Sequence, residues 1–319
     1  MFLGVLLALA AGLMWGLVFV GPVWLPDYPA VLHTAGRYLA FGVIALPLAW
    51  FDRCELAGLR RVDWWMALKL AAIGNLLYYF CLASAIQLAG APLPTMIIGC
   101  LPLVIAICAN LRQPATGRRL PWARLAPPLV LLAAGIACVQ QVEWQALRAG
   151  PGGSGQVVYG MLLATAALIC WTWYPLRNAD WLLAHPERRA RAWATAQGLA
   201  TLPLAILAYL LILLFPATVG ADFALPWGPR PLAFFGLMLA IGLFASWLGT
   251  LCWNAASRRL PAALVGQLIV FETLAALLYA YLLRASWPPL LTWIGIALLL
   301  LGVSWGLRVS RAAGTVEPV

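Results

Sequence analysis

The sequence predicts an all-α polytopic membrane protein, with ten transmembrane helices in two inverted five-helix repeats around a central cavity. Three observations predict it. Of 319 residues, 64% are hydrophobic and only 9% charged, whereas soluble domains carry about 25% charged residues. Apolar runs of about 20 residues, enough to cross ~30 Å of hydrocarbon as helix, recur along the chain. The two halves also open alike. LGVLLALAAGLMW at 3–15 returns as YGMLLATAALICW at 159–171, with Gly4 matched by Gly160 and Trp15 by Trp171.

The runs fall at roughly 2–20, 29–50, 65–88, 91–112, 122–141, 157–176, 190–215, 231–255, 261–283 and 289–308. None shows the period-two alternation of a barrel strand. Helices alone satisfy the backbone internally in lipid. The first run lacks a basic leader and its pattern recurs in the second half, so it reads as a span rather than a cleaved signal. Five spans per half is odd, so residues 151–319 cross in the opposite sense to residues 1–150. Such inverted repeats place a substrate site near the midplane, between the halves. The join is Gly150-Pro151-Gly152-Gly153-Ser154-Gly155, which reads as a flexible linker. Weaker matches are Ala72-Ile73-Gly74 with Ala240-Ile241-Gly242, Gly135 with Gly302, and Pro92 with Pro261.

The net charge of +10 is a topology signal. With the N-terminus inside, 16 of the 20 basic residues fall on the inner side, from Arg53 to Arg311. Only Arg148, Arg230 and Arg284 fall outside, and Arg37 alone lies within a helix. This bias puts both termini in the cytoplasm of a bacterial inner membrane. The basic residues suit anionic lipid. No basic patch interleaved with aromatics points to nucleic acid. The seven cysteines lack metal-ligand spacing and read as small hydrophobes between helices. No P-loop, HExxH, GxSxG or paired-carboxylate cluster is present. Direct ATP drive, a metal, a cofactor and enzymatic catalysis are therefore not expected.

Glu272 is the one carboxylate deep inside an expected helix, where a charge costs at least ~2.5 kcal/mol and should face the interior. It suits a substrate ammonium, a coupling proton, an ion pair or a protonated, hydrogen-bonded glutamic acid. Arg37 lies about 12 Å deep and Glu272 about 13 Å from the same face, at 1.5 Å per residue, so a pair between them fits. Asn75, Tyr78, Tyr79 and Leu82 share one helical face, as do Ser246, Gly249, Thr250, Trp253 and Asn254; each set lines a cavity or joins helices. Gln267 and Glu272, five apart on one helix, cannot both centre one face. Inversion places Trp15 toward the outer end of its helix and Trp171 toward the inner end. They read either as two constrictions of an alternating-access path or as plain packing. Trp181 and Trp193 are among twelve tryptophans near span ends that read as interfacial belts. Trp173, Trp247 and Trp253 join Trp15 and Trp171 as wall residues. Pro47, Pro102, Pro203, Gly74 and Gly242 are bending points. His33 reads as an interfacial residue.

Trp15-Gly16, Arg37-Tyr38, the ten helices in two halves and the closing Gly295…Gly302 together resemble the EamA-type carriers of the drug/metabolite transporter superfamily. Within it the chain resembles the YddG-type exporters. The resemblance implies a basket-like ten-helix monomer with a central cavity, exporting aromatic amino acids (Trp, Phe, Tyr) and related compounds such as methyl viologen. One departure stands out. Many members carry an acidic residue near the ends of helices four and nine, where this chain has Leu111-Arg112-Gln113 and Leu283-Arg284-Ala285. The expected partners are a small-molecule substrate and membrane lipid. The alternatives are a broader drug, metabolite or nucleoside exporter, an intramembrane enzyme, or a non-transporting assembly protein.

Overall fold

The computed structural model describes residues 2–90, 92–112, 121–148, 154–220, 223–260, 262–283, 285 and 287–312. Among them are ten helices long and apolar enough to cross a membrane. They are α1 (Phe2–Trp24), α2 (Ala30–Phe51), α3 (Arg61–Ala89), α4 (Leu93–Arg112), α5 (Trp122–Gln141), α6 (Gly155–Ala184), α7 (Ala190–Leu214), α8 (Pro231–Ser257), α9 (Leu264–Leu283) and α10 (Leu290–Val309). Every apolar run has become a helix. Residues 150–153 of the expected linker lie outside the described residues, as do Gln113, Arg118, Arg119, Pro261 and Arg284. Arg177, sorted with the inner loops, sits inside α6 because that helix runs past its apolar stretch, and Lys69 lies within α3.

The irregularities are paired between the repeats. A wider π-helical segment, Leu70–Leu77, interrupts α3 around Gly74, and Gly242–Leu248 interrupts α8 at its matched glycine. Such insertions cluster at functional sites because they turn side chains out of helical phase. α4 breaks between Pro92–Ile98 and Leu101–Arg112, and α9 between Ala262–Leu268 and Val270–Leu283. Discontinuous helices in corresponding positions are the mark of a midplane site in inverted-repeat transporters. The repeats differ at their first helices. α1 tightens into a 3₁₀ turn at Leu17–Phe19, whereas the α6 helix runs unbroken over Ser154–Ala184.

Matched helices pack on one another: α2 on α7, α4 on α9 and α5 on α10. Glycine permits the crossings. A Cβ on Gly135 would lie 2.8 Å from the Gly295 carbonyl oxygen, and one on Gly295 would lie 2.8 Å from that of Gly135. α2 and α7 cross at Gly42, which faces Leu202, and at Gly198, which faces Ala45. Small residues drive such contacts in lipid, where apolar burial offers no gain.

One end of the bundle gathers the arginines. There Arg188 donates to the carbonyls of Glu55 and Gly58, Arg258 to those of Pro186 and Arg188, and Arg112 pairs with Asp180. At this end α4 and α9 meet closely, a Cβ on Gly266 falling 2.9 Å from the Ala106 nitrogen. Toward the opposite end they diverge, the first half of α4 lying on α5 and α6 and the second half of α9 on α1.

Candidate functional site

The repeats meet at a cluster of aromatic rings. Trp15 of α1 lies edge-on to Trp171 of α6, with centroids 5.1 Å apart. It also lies 5.0 Å from Trp253 of α8. Trp171 is stacked between Tyr78 of α3 at 4.6 Å and Tyr174 of α6 at 5.0 Å. All five rings are buried. The expectation that Trp15 and Trp171 mark opposite ends of a path is therefore corrected. The α6 helix is 31 residues long, so its residue 171 sits at mid-helix, and matched residues near the axis of the repeat touch one another.

Why these rings converge is local. A Cβ on Gly249 would meet the Trp15 indole nitrogen at 2.7 Å, so only glycine admits that ring against α8. Gly12 and Gly16, one turn apart, bring α9 against the α1 backbone, with a Cβ on Gly12 only 2.8 Å from the Glu272 nitrogen. The break at Ile269 puts Glu272 in the first turn of the 14-residue helix Val270–Leu283. The positive end of that helix dipole favours a carboxylate there.

Glu272 is 3% exposed and accepts a hydrogen bond from Trp171 Nε1 at 3.3 Å. It forms one wall of a small cleft between α1, α4 and α9 that Phe19, Thr95, Gly99 and Thr273 also line. Arg37 is equally buried. Its Nε donates to Ser246 Oγ at 3.0 Å, in the wide segment of α8. Its guanidinium lies over the rings of Tyr38 and Tyr79, at 4.9 and 4.6 Å from their centroids. Arg37 and Glu272 are electrostatic neighbours but are not joined in an ion pair. The pairing that equal depth allows is thus absent, because aromatic and hydroxyl neighbours hold each charge on its own side.

The shared face on α3 is buried, and its members divide in use. Asn75 donates to Thr201 of α7 at 3.3 Å, and Tyr79 to the Val18 carbonyl at 3.3 Å. The hydroxyl of Tyr78 is buried without a partner, as are that of Tyr38 and the Nη1 of Arg37. On α8, Thr250 is buried. The α9 break removes the straight-helix geometry assumed for Gln267 and Glu272. Gln267 faces Gly306 of α10, away from the rings.

Sequence reasoning missed a neighbouring network. Asn178 of α6 donates to Asn254 of α8 at 2.7 Å and accepts from Trp193 at 2.8 Å and Gln197 at 3.0 Å, both on α7. Gln197 in turn accepts from Tyr174 at 2.7 Å. Trp181 and Trp193, expected in an interfacial belt, instead stack at 3.5 Å inside the bundle. Their polar edges draw them in: Trp193 donates to Asn178 and Trp181 to Asp63. His33 is fully buried, its Nε2 lying 3.0 Å from the Leu25 carbonyl. Among the described residues, no cluster of three His, Cys, Asp or Glu side chains suits a metal.

The profile of the EamA-like transporter family matches residues 2–120. The chain is 52% identical over 318 residues to the inner membrane protein YtfF of Escherichia coli (strain K12), covering 99% of this chain and 98% of that one. A crystal structure with 19% identity superposes with a TM-score of 0.72, over 97% of this chain and 98% of its own. That last likeness concerns the fold.

Proposed function

The chain belongs to the EamA-like transporter family, and on that premise we propose that it is an inner-membrane carrier exporting aromatic amino acids and related compounds by alternating access. The observation that carries this reading is the convergence of Trp15, Trp171 and Trp253 beside Glu272, at the point where the two repeats meet. Rings in edge and stacked contact exchange partners at low cost, because a substrate ring entering the cluster replaces one aromatic contact with another. The proposed unit is a monomer held among lipids.

The direction follows from charge and packing together. Taking the arginine-rich end as cytoplasmic, α4 and α9 are closed on the inside and parted on the outside. Export then requires the contact between Gly266 and Ala106 to open, while the paired irregular segments of α3 and α8 and the breaks of α4 and α9 supply the bending points.

The test is tryptophan flux in proteoliposomes, with and without a pH gradient. The expected result is saturable flux that phenylalanine and tyrosine compete. No flux above empty liposomes, from folded protein, removes the substrate assignment. A second reading, a broader drug or metabolite exporter, draws on the same rings, which attract organic cations through their faces. A ligand panel scored by thermal stabilisation separates the two.

A further inference from the structure

Among the described residues, four Arg, Asp or Glu side chains are buried: Arg37, Asp52, Asp63 and Glu272. Two of them, at the arginine-rich end, are fully engaged. Asp52 meets Arg191 at 2.7 Å and Thr195 at 2.8 Å, and Asp63 accepts from Trp181 at 2.9 Å and from the Arg60 backbone at 2.9 Å. The other two, beside the ring cluster, are not. Arg37 keeps Nη1 without a partner, and the hydroxyls of Tyr38 and Tyr78 close by are equally unpartnered. Glu272 receives only the indole of Trp171 at 3.3 Å.

Opposite charges in hydrocarbon attract strongly at contact, and an unpaired one is costly. A purely structural pair would therefore close. Here packing keeps it open: Tyr38, Tyr79 and Ser246 hold the guanidinium, and Trp171 holds the carboxylate. The divided pair presents three free donors on one side and a free acceptor face on the other. A cation or an anion would satisfy one side and leave the other charge alone. A dipolar ion satisfies both and leaves the filled site neutral.

We propose that this is a zwitterion site for an α-amino acid. The carboxylate is received by Arg37 Nη1 with the hydroxyls of Tyr38 and Tyr78, and the ammonium by Glu272. The side chain lies against Trp15 and Trp171. The inference deepens the carrier reading above and rests on it. It adds Tyr38 to the site and makes both charges of the substrate a requirement.

The experiment is equilibrium binding to the purified full-length protein, by calorimetry and by thermal shift, with four probes. L-Tryptophan carries both charges and the ring. Tryptamine lacks the carboxylate, 3-indolepropionate lacks the ammonium, and L-alanine lacks the ring. Loss of either charge should weaken binding about 10- to 100-fold. Arg37→Gln should weaken tryptophan by a similar factor and leave tryptamine unchanged. Glu272→Gln should weaken tryptophan and leave 3-indolepropionate unchanged. A merely structural role would lower all probes together. Tyr38→Phe, which keeps the ring, provides a mild variant should Arg37→Gln fail to fold, with about a threefold to tenfold loss for the carboxylate-bearing probes and none for tryptamine. Tryptamine binding as tightly as tryptophan, equal losses across probes, or no binding by folded protein would overturn the proposal. Alanine binding as well as tryptophan, with the same dependence on Arg37 and Glu272, would uphold the zwitterion site and overturn only the aromatic preference.

Discussion

Two buried polar clusters flank the same axis and are built on opposite plans. On α6 and α7 the amide atoms of Asn178 and Gln197 are all engaged, Asn178 alone taking part in three hydrogen bonds, and of the network's amides only the Nδ2 of Asn254, on α8, is left without a partner. On α2, α3 and α9 the polar groups of Arg37, Tyr38 and Tyr78 keep atoms without partners, and the two charges stand apart. A saturated network fixes helices in one arrangement and has no capacity left for a ligand. An under-satisfied one costs stability in the absence of a ligand and gains it when a ligand arrives. We read the difference as that between scaffold and site.

The comparison predicts opposite responses to substitution. Asn178→Leu leaves Trp193 and Gln197 without their acceptor. It should destabilise the protein by about 2–4 kcal/mol while sparing flux per folded molecule. Glu272→Gln should do the reverse, with flux falling at least about tenfold and stability held within about 1 kcal/mol, since removing a buried charge offsets the lost bond. Thermal melts and flux on the same preparations check both. If both variants lose stability equally, the distinction fails.

A smaller effect tests how the clusters connect. Gly74→Ala would place a Cβ 2.2 Å from Cδ2 of Tyr174, whose ring stacks on Trp171 and whose hydroxyl reaches Gln197. We expect a loss of about 1–3 kcal/mol together with reduced ligand binding. Loss of stability alone would show that Tyr174 serves only the scaffold. Trp171→Phe keeps most of the ring and removes the donor to Glu272. It should cost about 1 kcal/mol or less and shift the pH dependence of flux.

The smallest effect lies at the end opposite the arginines. There Asp27 pairs with Arg230 between the repeats. The Arg230 guanidinium holds the Asp27 carboxyl below its ordinary value of 3.8. The folded value is depressed, so the contribution is complete above that value and disappears as pH falls through the lowered one. Wild type and Asp27→Asn should therefore differ slightly in melting temperature at neutral pH and converge as pH falls through the lowered value. A difference that persists in acid would place the effect in packing instead.

The fold was legible because lipid leaves few choices. Apolar length gave every span, and Glu272, Arg37, Tyr78, Trp15 and Trp171 stood out as polar or aromatic groups that lipid would reject. Their relations were harder to read. The wide segments at Leu70–Leu77 and Gly242–Leu248 and the break at Ile269 change helical phase, so wheel arithmetic on an ideal helix could separate Gln267 from Glu272 but not say what each would face. Span lengths judged from hydropathy shortened α6 and moved Trp171 from the centre to an end. Trp181 and Trp193 looked interfacial by position, and only their donors to Asp63 and Asn178 explain their burial. The Gly12–Gly16 pair, one turn apart in α1, was the available sign that α9 packs there.

The central claim is that the ring cluster is crossed by opening the arginine-rich end, where α4 and α9 meet at Ala106 and Gly266. The most direct test is a cysteine pair at the adjoining positions Ile105 and Val265, which line one small cleft at that contact, in a variant lacking the seven native cysteines, followed through oxidation and reduction in proteoliposomes. Flux should vanish on oxidation and return on reduction, while tryptophan binding to the oxidised protein persists. Full flux through the cross-linked protein would contradict the account.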